Sequence, residues 1–248
     1  MLISVWGKNG AGKSTISANL ACWLAIKGSR TALVGANRFY GAIQHYFGLD
    51  LGPEQSLRNV LSEKDSMDIR RCFVEYGQLK ALSVASLSNE DDVIGRQRMR
   101  PETAARFLEL TDRSFERTII DCDESTDDAL SMLSLVMSDK VLYVTKPGVQ
   151  FAVFARACES LVGGLRIEDK LRVVCNADKR RQELSDCGAF NVKKDIFALP
   201  YCRDVESSGD AGKPFMLARG AGRRGSRYRR ALGEIGLWLE KPGADGQA

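Results

Sequence analysis

The stretch "GKNGAGKST" (7–15) follows a short apolar run, "LISVW" (2–6), and opens a segment of helical period over 13–28. From Gly7 to Ser14 it satisfies GxxxxGK[ST], and a strand before it with a helix after it is the context in which that spacing binds phosphate. Glycines at 7, 10 and 12 let the backbone turn its N–H groups inward, and the helix starting near Lys13 adds the positive end of its dipole. Lys13 is expected to reach the β- and γ-phosphates of a nucleotide, and the Ser14 hydroxyl to ligate Mg²⁺. Gly7, Lys8, Asn9, Gly10, Ala11, Gly12, Lys13, Ser14 and Thr15 form the candidate cradle. A chance glycine-rich turn is the alternative, and the strand–loop–helix context argues against it. Lys8 is left over, a second lysine where the motif asks for one.

Further apolar runs at 31–35, 79–85, 117–122, 140–145, 171–176 and 195–200 read as strands. They are near-continuous rather than alternating, which suits strands covered on both faces. Segments 101–113, 126–137 and 149–163 have helical lengths and spacings. A last helix over 219–241 has one apolar face, with Tyr228, Leu232, Ile235 and Leu239 at helical spacing. The alternation predicts an α/β fold: a doubly wound, mostly parallel sheet flanked by helices. Ligands of such sheets bind outside the carboxyl ends of the strands. With 248 residues and no composition break, one domain over 1–241 is expected, with a polar surface loop over 86–100 and a disordered tail over 242–248.

A net charge of +4 does not mark the whole surface for nucleic acid, yet Arg219, Arg223, Arg224, Arg227, Arg229 and Arg230 cluster near the end. Seven cysteines with no CxxC argue for free thiols in a reducing compartment and against a metal centre. Cys122 and Cys175 fall in strand-like runs and read as buried, and the sole histidine, His45, reads as structural. The opening "MLISVWG" has no basic region or small-residue cleavage site, which argues against a secretory signal. No apolar run approaches the ~20 residues of a membrane span. A cytoplasmic protein is expected.

With Lys8 included, "KNGAGKST" resembles the deviant Walker A motif KGGxGK[ST]T of the ParA/MinD superfamily, with Asn9 in place of the first of the paired glycines. The resemblance extends over nearly the whole chain. "RTIIDCDES" (117–125) resembles the family's Walker B strand, which implies that Asp121 lies near Mg²⁺. "VVCNADK" (173–179) resembles the adenine-reading strand end, implying Asn176 at the base. "LPYCRDVESSGDAGKPF" (199–215) is similar to the stretch whose loop lies against that base, implying Pro200 and Tyr201. The resemblance implies ATP and Mg²⁺ as cofactors and an ATP-dependent homodimer, in which Lys8 reaches across to the partner's phosphates. A triphosphate buried between subunits needs such added cations. A solvated loop lysine is the plain alternative for Lys8, and a capping role for Asp121. For the base, a guanine-specific NKxD site needs a carboxylate three residues after the asparagine. That position is Lys179, a donor only. An asparagine amide can meet the adenine N6/N7 edge. ATP is expected over GTP.

The chain departs from the family at "VGANRFYGA" (34–42), where many members carry a D-x-D-like stretch that positions the attacking water. Gly35 has a counterpart in nitrogenase iron proteins. Asn37 has an amide that cannot accept a proton. With Lys8, Lys13, Asn37 and Asp121 as the candidate catalytic set, hydrolysis is expected to be slow or absent, and Asp123 and Glu124 are weak candidates to substitute. A similar loss of carboxylates marks the TadZ/CpaE-like members that place pilus secretion machinery, and "FGLDLGPEQSLRNVL" (47–61) is compatible with that branch. The receiver-like domain often fused ahead of the loop there is not expected in this chain. The leading expectation is a nucleotide-gated positioning switch, TadZ/CpaE-like or MinD-like, whose ATP dimer recruits a protein partner of a positioning or secretion system at a pole or the inner membrane surface. The second is a partition ATPase whose arginines meet nonspecific DNA. Direct peripheral membrane contact is less favoured, because the arginines cluster before and in the first turn of the last helix instead of lining its polar face, and Gly233 and Gly236 weaken it. A metallochaperone ranks last for want of paired cysteines.

Overall fold

The computed structural model describes residues 1–62, 67–91, 99–176 and 196–241. Its strands are β1 (Leu2–Gly7), β2 (Thr31–Gly35), β3 (Val74–Glu75), β4 (Leu82–Ala85), β5 (Arg117–Asp121), β6 (Lys140–Thr145), β7 (Leu171–Asn176) and β8 (Phe197–Leu199). They form one eight-stranded sheet in the order β3-β4-β2-β5-β1-β6-β7-β8. Every pairing is parallel except β3 with β4. The helices are α1 (Lys13–Ile26), α2 (Leu57–Ser62), α3 (Pro101–Ser114), α4 (Ala129–Met137), α5 (Val149–Ala157), α6 (Glu159–Leu165), α7 (Arg203–Asp210) and α8 (Arg223–Glu240).

Strand alternation divides the core in two. Ile3 and Val5 face one layer with Leu33, Ile119 and Val144, against Leu20 and Leu24 of α1 and Leu232 and Ile235 of α8. Leu2 and Trp6 face the other layer with Val34, Ile120 and Tyr143, against Phe107 of α3, Leu135 of α4 and Val162 of α6. Both faces of β1 are thus covered, which is why it reads as an unbroken apolar run. The expected doubly wound sheet is present.

Helix α8 packs as the apolar face of 219–241 requires, with Tyr228, Leu232, Ile235 and Leu239 buried. Gly236 is a packing device. A Cβ there would fall 2.5 Å from the ring of Trp23 on α1, so the glycine lets two helices close on a tryptophan. The last carbonyls of α8 are held by Lys140 at the start of β6. Its ammonium donates to the oxygens of Trp238, Leu239 and Lys241 and lies 4.6 Å from the centroid of the Trp238 ring.

Several details differ from the sequence reading. The run 79–85 pairs only from Leu82, because Leu79–Leu82 closes a turn with a 2.8 Å hydrogen bond. Helix α4 starts at Ala129, where the Asp128 carboxylate accepts the Ser131 N–H at 2.8 Å and fixes the N-terminus. The segment 149–163 is two helices that meet at Cys158, with φ −91° and ψ −4°. β3, α2 and α7 were not anticipated; β3 is two residues long and α7 buries only Val205, so neither offers a period to read. Cys22, Cys72, Cys122, Cys158 and Cys202 are free and buried. Cys175 departs from the expected free thiols: it is disulfide-bonded. Most of the loop at 86–100 (92–98) and the tail at 242–248 lie outside the described residues. Among the described residues no helix is long and apolar enough to cross a membrane.

Candidate nucleotide site

Register brings the cradle together. Asp121 pairs with Val5 and with Gly35, so it leaves the sheet level with the loop after β1. Gly12 has φ +97°, and a Cβ there would fall 2.3 Å from Asn176 Nδ2, so only glycine fits. Asn176 Nδ2 donates to the Ala11 carbonyl at 2.9 Å, tying the end of β7 to the loop. Lys13 is buried; its ammonium donates to Gly7 O and to Asn9 Oδ1, both at 2.9 Å. Burial pushes its pKa down, and Asp121, then Cys122, Glu124 and Asp123, oppose the shift. Asp121 is also buried, and its two carboxylate oxygens accept from Ser14 Oγ at 2.6 Å and Ser17 Oγ at 3.0 Å. Burial raises its pKa against the hydrogen bond of Ser14, the charge of Lys13 and the hydrogen bond of Ser17. A hydroxyl and a carboxylate oxygen in direct contact form a hard-oxygen donor set of the kind Mg²⁺ takes.

Behind the cradle, Gly12, Thr15, Lys146, Asn176, Pro200 and Tyr201 line one cleft with Glu206. The sequence-predicted base residues are therefore brought together, at the carboxyl ends of β6, β7 and β8. One N–H of the Asn176 amide is engaged by Ala11, and its second N–H and its oxygen are the groups that could meet a base. Lys179 lies outside the described residues. Sequence reasoning missed Lys146, which directly follows β6 as Asn176 ends β7, so the strand-end rule could have found it. It also missed Tyr46, whose hydroxyl lies 3.3 Å from Thr15 Oγ1, and a turn distant in sequence carries no signal for that contact.

The loops flanking the cradle are polar and more exposed. Asn37 sits just past β2, but its side-chain oxygen accepts the N–H groups of Phe39 at 2.7 Å and Tyr40 at 3.3 Å, closing its own turn. Arg38 beside it pairs with Asp127 at 3.1 Å. Asp123 accepts the Ser125 N–H at 3.2 Å within its own loop. Glu124 does reach the cradle: its carboxylate accepts the Asn9 N–H and lies 3.8 Å from Lys8 Nζ. Lys8 also lies 5.7 Å from the centroid of the Phe154 ring. One lysine is inside the loop and the other is at its mouth.

The ParA family model, described as "NUBPL iron-transfer P-loop NTPase", matches residues 1–234. The chain belongs to this family. An iron-sulfur cluster carrier protein of Saccharolobus solfataricus is 26% identical over 231 residues, 86% of this chain and 75% of that protein. One from Rickettsia felis is 30% identical over 144 residues, so the match spans 57% of this chain and only 42% of the relative. The septum site-determining protein MinD of Synechocystis is 22% identical over 228 residues, 88% of this chain and 82% of that protein. Among solved structures, the MinD cell division protein of Aquifex aeolicus superimposes with a TM-score of 0.74 at 18% identity, covering 95% of this chain and 97% of that one. A ParA family ATPase from Chlorobium tepidum gives 0.75 at 18% identity, over 95% and 98%. These two share the fold.

Within this ParA-family chain the arginine cluster divides. Arg229 turns inward, donating to the carbonyls of Phe215, at 3.1 Å, and Ala218. Arg219, Arg223, Arg224, Arg227 and Arg230 are exposed around the start of α8.

Proposed function

We propose that this chain is an ATP-binding switch of ParA/MinD type. It takes ATP with Mg²⁺, dimerises around the nucleotide, and as a dimer places a protein partner of a positioning or secretion system, in the manner of TadZ/CpaE-like or MinD-like members. The observation that carries this reading is the division between the two lysines. Lys13 is folded into its own cradle, while Lys8 stands at the mouth, where a second subunit would meet it. Ser14 and Asp121 would hold the metal, whose charge offsets that of the phosphates when bound. Asn37 cannot accept a proton and its oxygen is engaged in a turn, so turnover is slow. Localisation is cytoplasmic, at a pole or the inner membrane surface through partners.

The test is a pair of alanine variants. Lys13→Ala should lose ATP binding in the monomer, because a charge-assisted contact to phosphate disappears. Lys8→Ala should bind ATP and stay monomeric in light scattering with ATP and Mg²⁺. A normal ATP dimer from Lys8→Ala would sink the reading.

The five exposed arginines favour a second reading, a partition ATPase that meets nonspecific DNA. Dimerisation would double the cluster, and each neutralised phosphate steepens the salt dependence. Fluorescence anisotropy on nonspecific duplex, with and without ATP and beside Arg223/Arg224→Ala, checks it; no binding at low salt in any nucleotide state removes it. An iron–sulfur carrier role, which the names of relatives raise, ranks lower. Its usual paired cysteines are missing from the sequence, and the free thiols described are buried.

A further inference from the structure

Glu124 makes two contacts that its place after Walker B does not require. Its carboxylate accepts the backbone N–H of Asn9 and stands 3.8 Å from Lys8 Nζ, with about a third of its side chain exposed (30%). Both partners belong to the mouth of the phosphate loop, one a main-chain donor and the other a cation. A carboxylate held by those groups is an anion resting where the loop's ligand brings anionic charge. It is close enough to the cradle to act on the buried Lys13 ammonium as well. Asp123, the neighbouring carboxylate, is turned into its own loop by the Ser125 N–H, so the role falls to Glu124 alone.

We propose that Glu124 is an internal latch, competing with the nucleotide for the Asn9 N–H and holding Lys8 within its own subunit until the charge of bound ATP displaces it. This rests on the ATP-switch reading and adds its regulation. In the nucleotide-free chain the latch neutralises the lysine that would otherwise reach outward. With ATP bound, the added negative charge at the mouth repels the carboxylate and frees Lys8. Opening needs only a side-chain rotation, because Glu124 is tied by partly exposed contacts of modest strength.

The experiment compares wild type with Glu124→Gln, which keeps the shape and can still accept from Asn9 but removes the charge. Affinity for a fluorescent ATP analogue is measured at dilution, where the protein is monomeric, and the ATP midpoint for dimerisation by light scattering. Affinity for ATP should tighten about two- to fivefold, because the partly exposed carboxylate charge that opposes the incoming phosphates is gone. The dimerisation midpoint should fall with it. Asp127→Asn, an equal change of charge on a carboxylate held by Arg38 and Ser125, should leave the affinity unchanged. Unchanged or weaker ATP binding by Glu124→Gln overturns the latch, and so does an equal gain in Asp127→Asn. Glu124→Ala serves as a second variant, expected to move the affinity in the same direction. The monomer measurement does not depend on dimerisation, so failure of the ATP-dimer reading and failure of the latch are separable.

Discussion

Two buried lysines stand at opposite ends of the same sheet. Lys13, at the carboxyl edge, donates to Gly7 O and Asn9 Oδ1; Lys140, at the amino edge, donates to three carbonyls at the end of α8. Burial lowers the pKa of both, yet their surroundings differ in sign. Carboxylates of Asp121, Glu124 and Asp123 lie near Lys13, whereas Arg117, Lys241 and Arg172 lie near Lys140 with Asp139 opposing them. Lys13 is held by contacts that a phosphate can replace. Lys140 is fully occupied by a helix terminus that nothing displaces. Under the proposed function the same side chain serves binding in one place and stability in the other, and the contacts already made decide which.

Exchanging the readouts is the strongest way to break this contrast. Lys13→Ala should weaken ATP binding at least ~100-fold, since charge-assisted hydrogen bonds contribute about 1.5–3 kcal/mol each. Its nucleotide-free form should unfold within ~1 kcal/mol of wild type, because a buried charge is removed together with its contacts. Lys140→Ala should do the reverse, losing about 2 kcal/mol in urea unfolding as the α8 carbonyls lose a charged donor, with ATP affinity within about twofold of wild type. Calorimetry and urea titration on both variants check this; a Lys140→Ala protein that is stable but fails to bind ATP would reverse the assignment.

A smaller effect is expected at the loop beside the carboxyl edge. Asn37→Asp introduces a carboxylate at the position proposed to limit turnover, and steady-state phosphate release should rise by up to about tenfold, below the full contribution of a placed general base. The rise is limited because the side-chain oxygen is engaged by Phe39 and Tyr40. Fast wild-type turnover, or no change in a folded variant, removes Asn37 as the deficit.

The smallest expected effect sharpens the amino edge. Lys140 titrates at about 8 in the fold, below its ordinary 10.5, first through burial and then through the nearby cations. Between those values the unfolded chain holds a proton that the folded chain has released, so stability rises with pH across this window. Below pH ~8 both states are protonated and the contribution is flat. The difference in thermal midpoint between wild type and Lys140→Met should therefore shift in favour of wild type from pH 8 to 10; a flat difference counts against a depressed Lys140.

The cradle was legible because its contacts are local in sequence or fixed by a motif. Gly12, Lys13 and Ser14 lie within one strand–loop–helix unit, and Asp121 and Asn176 end strands whose partners follow from a parallel sheet. The Asn37 turn, the reach of Glu124 to Asn9 and the inward fold of Arg229 were not legible. Each depends on where a polar side chain finds a partner in space, and hydropathy periods do not record that. Gly236 is the clearest case. The sequence marks it as a weak point of a helix, and the structure uses it to seat Trp23.

The sequence by itself determined the alternation of buried strands with helices and the phosphate-loop motif, because these rest on periodicity and on short spacings the backbone must obey. Only the tertiary structure decided that Lys13 is tied to Gly7 O and Asn9 Oδ1, that Glu124 holds Lys8, and that Lys140 closes the last helix. Those outcomes depend on contacts between residues as far apart as Lys140 and Lys241, set by packing around the two faces of β1.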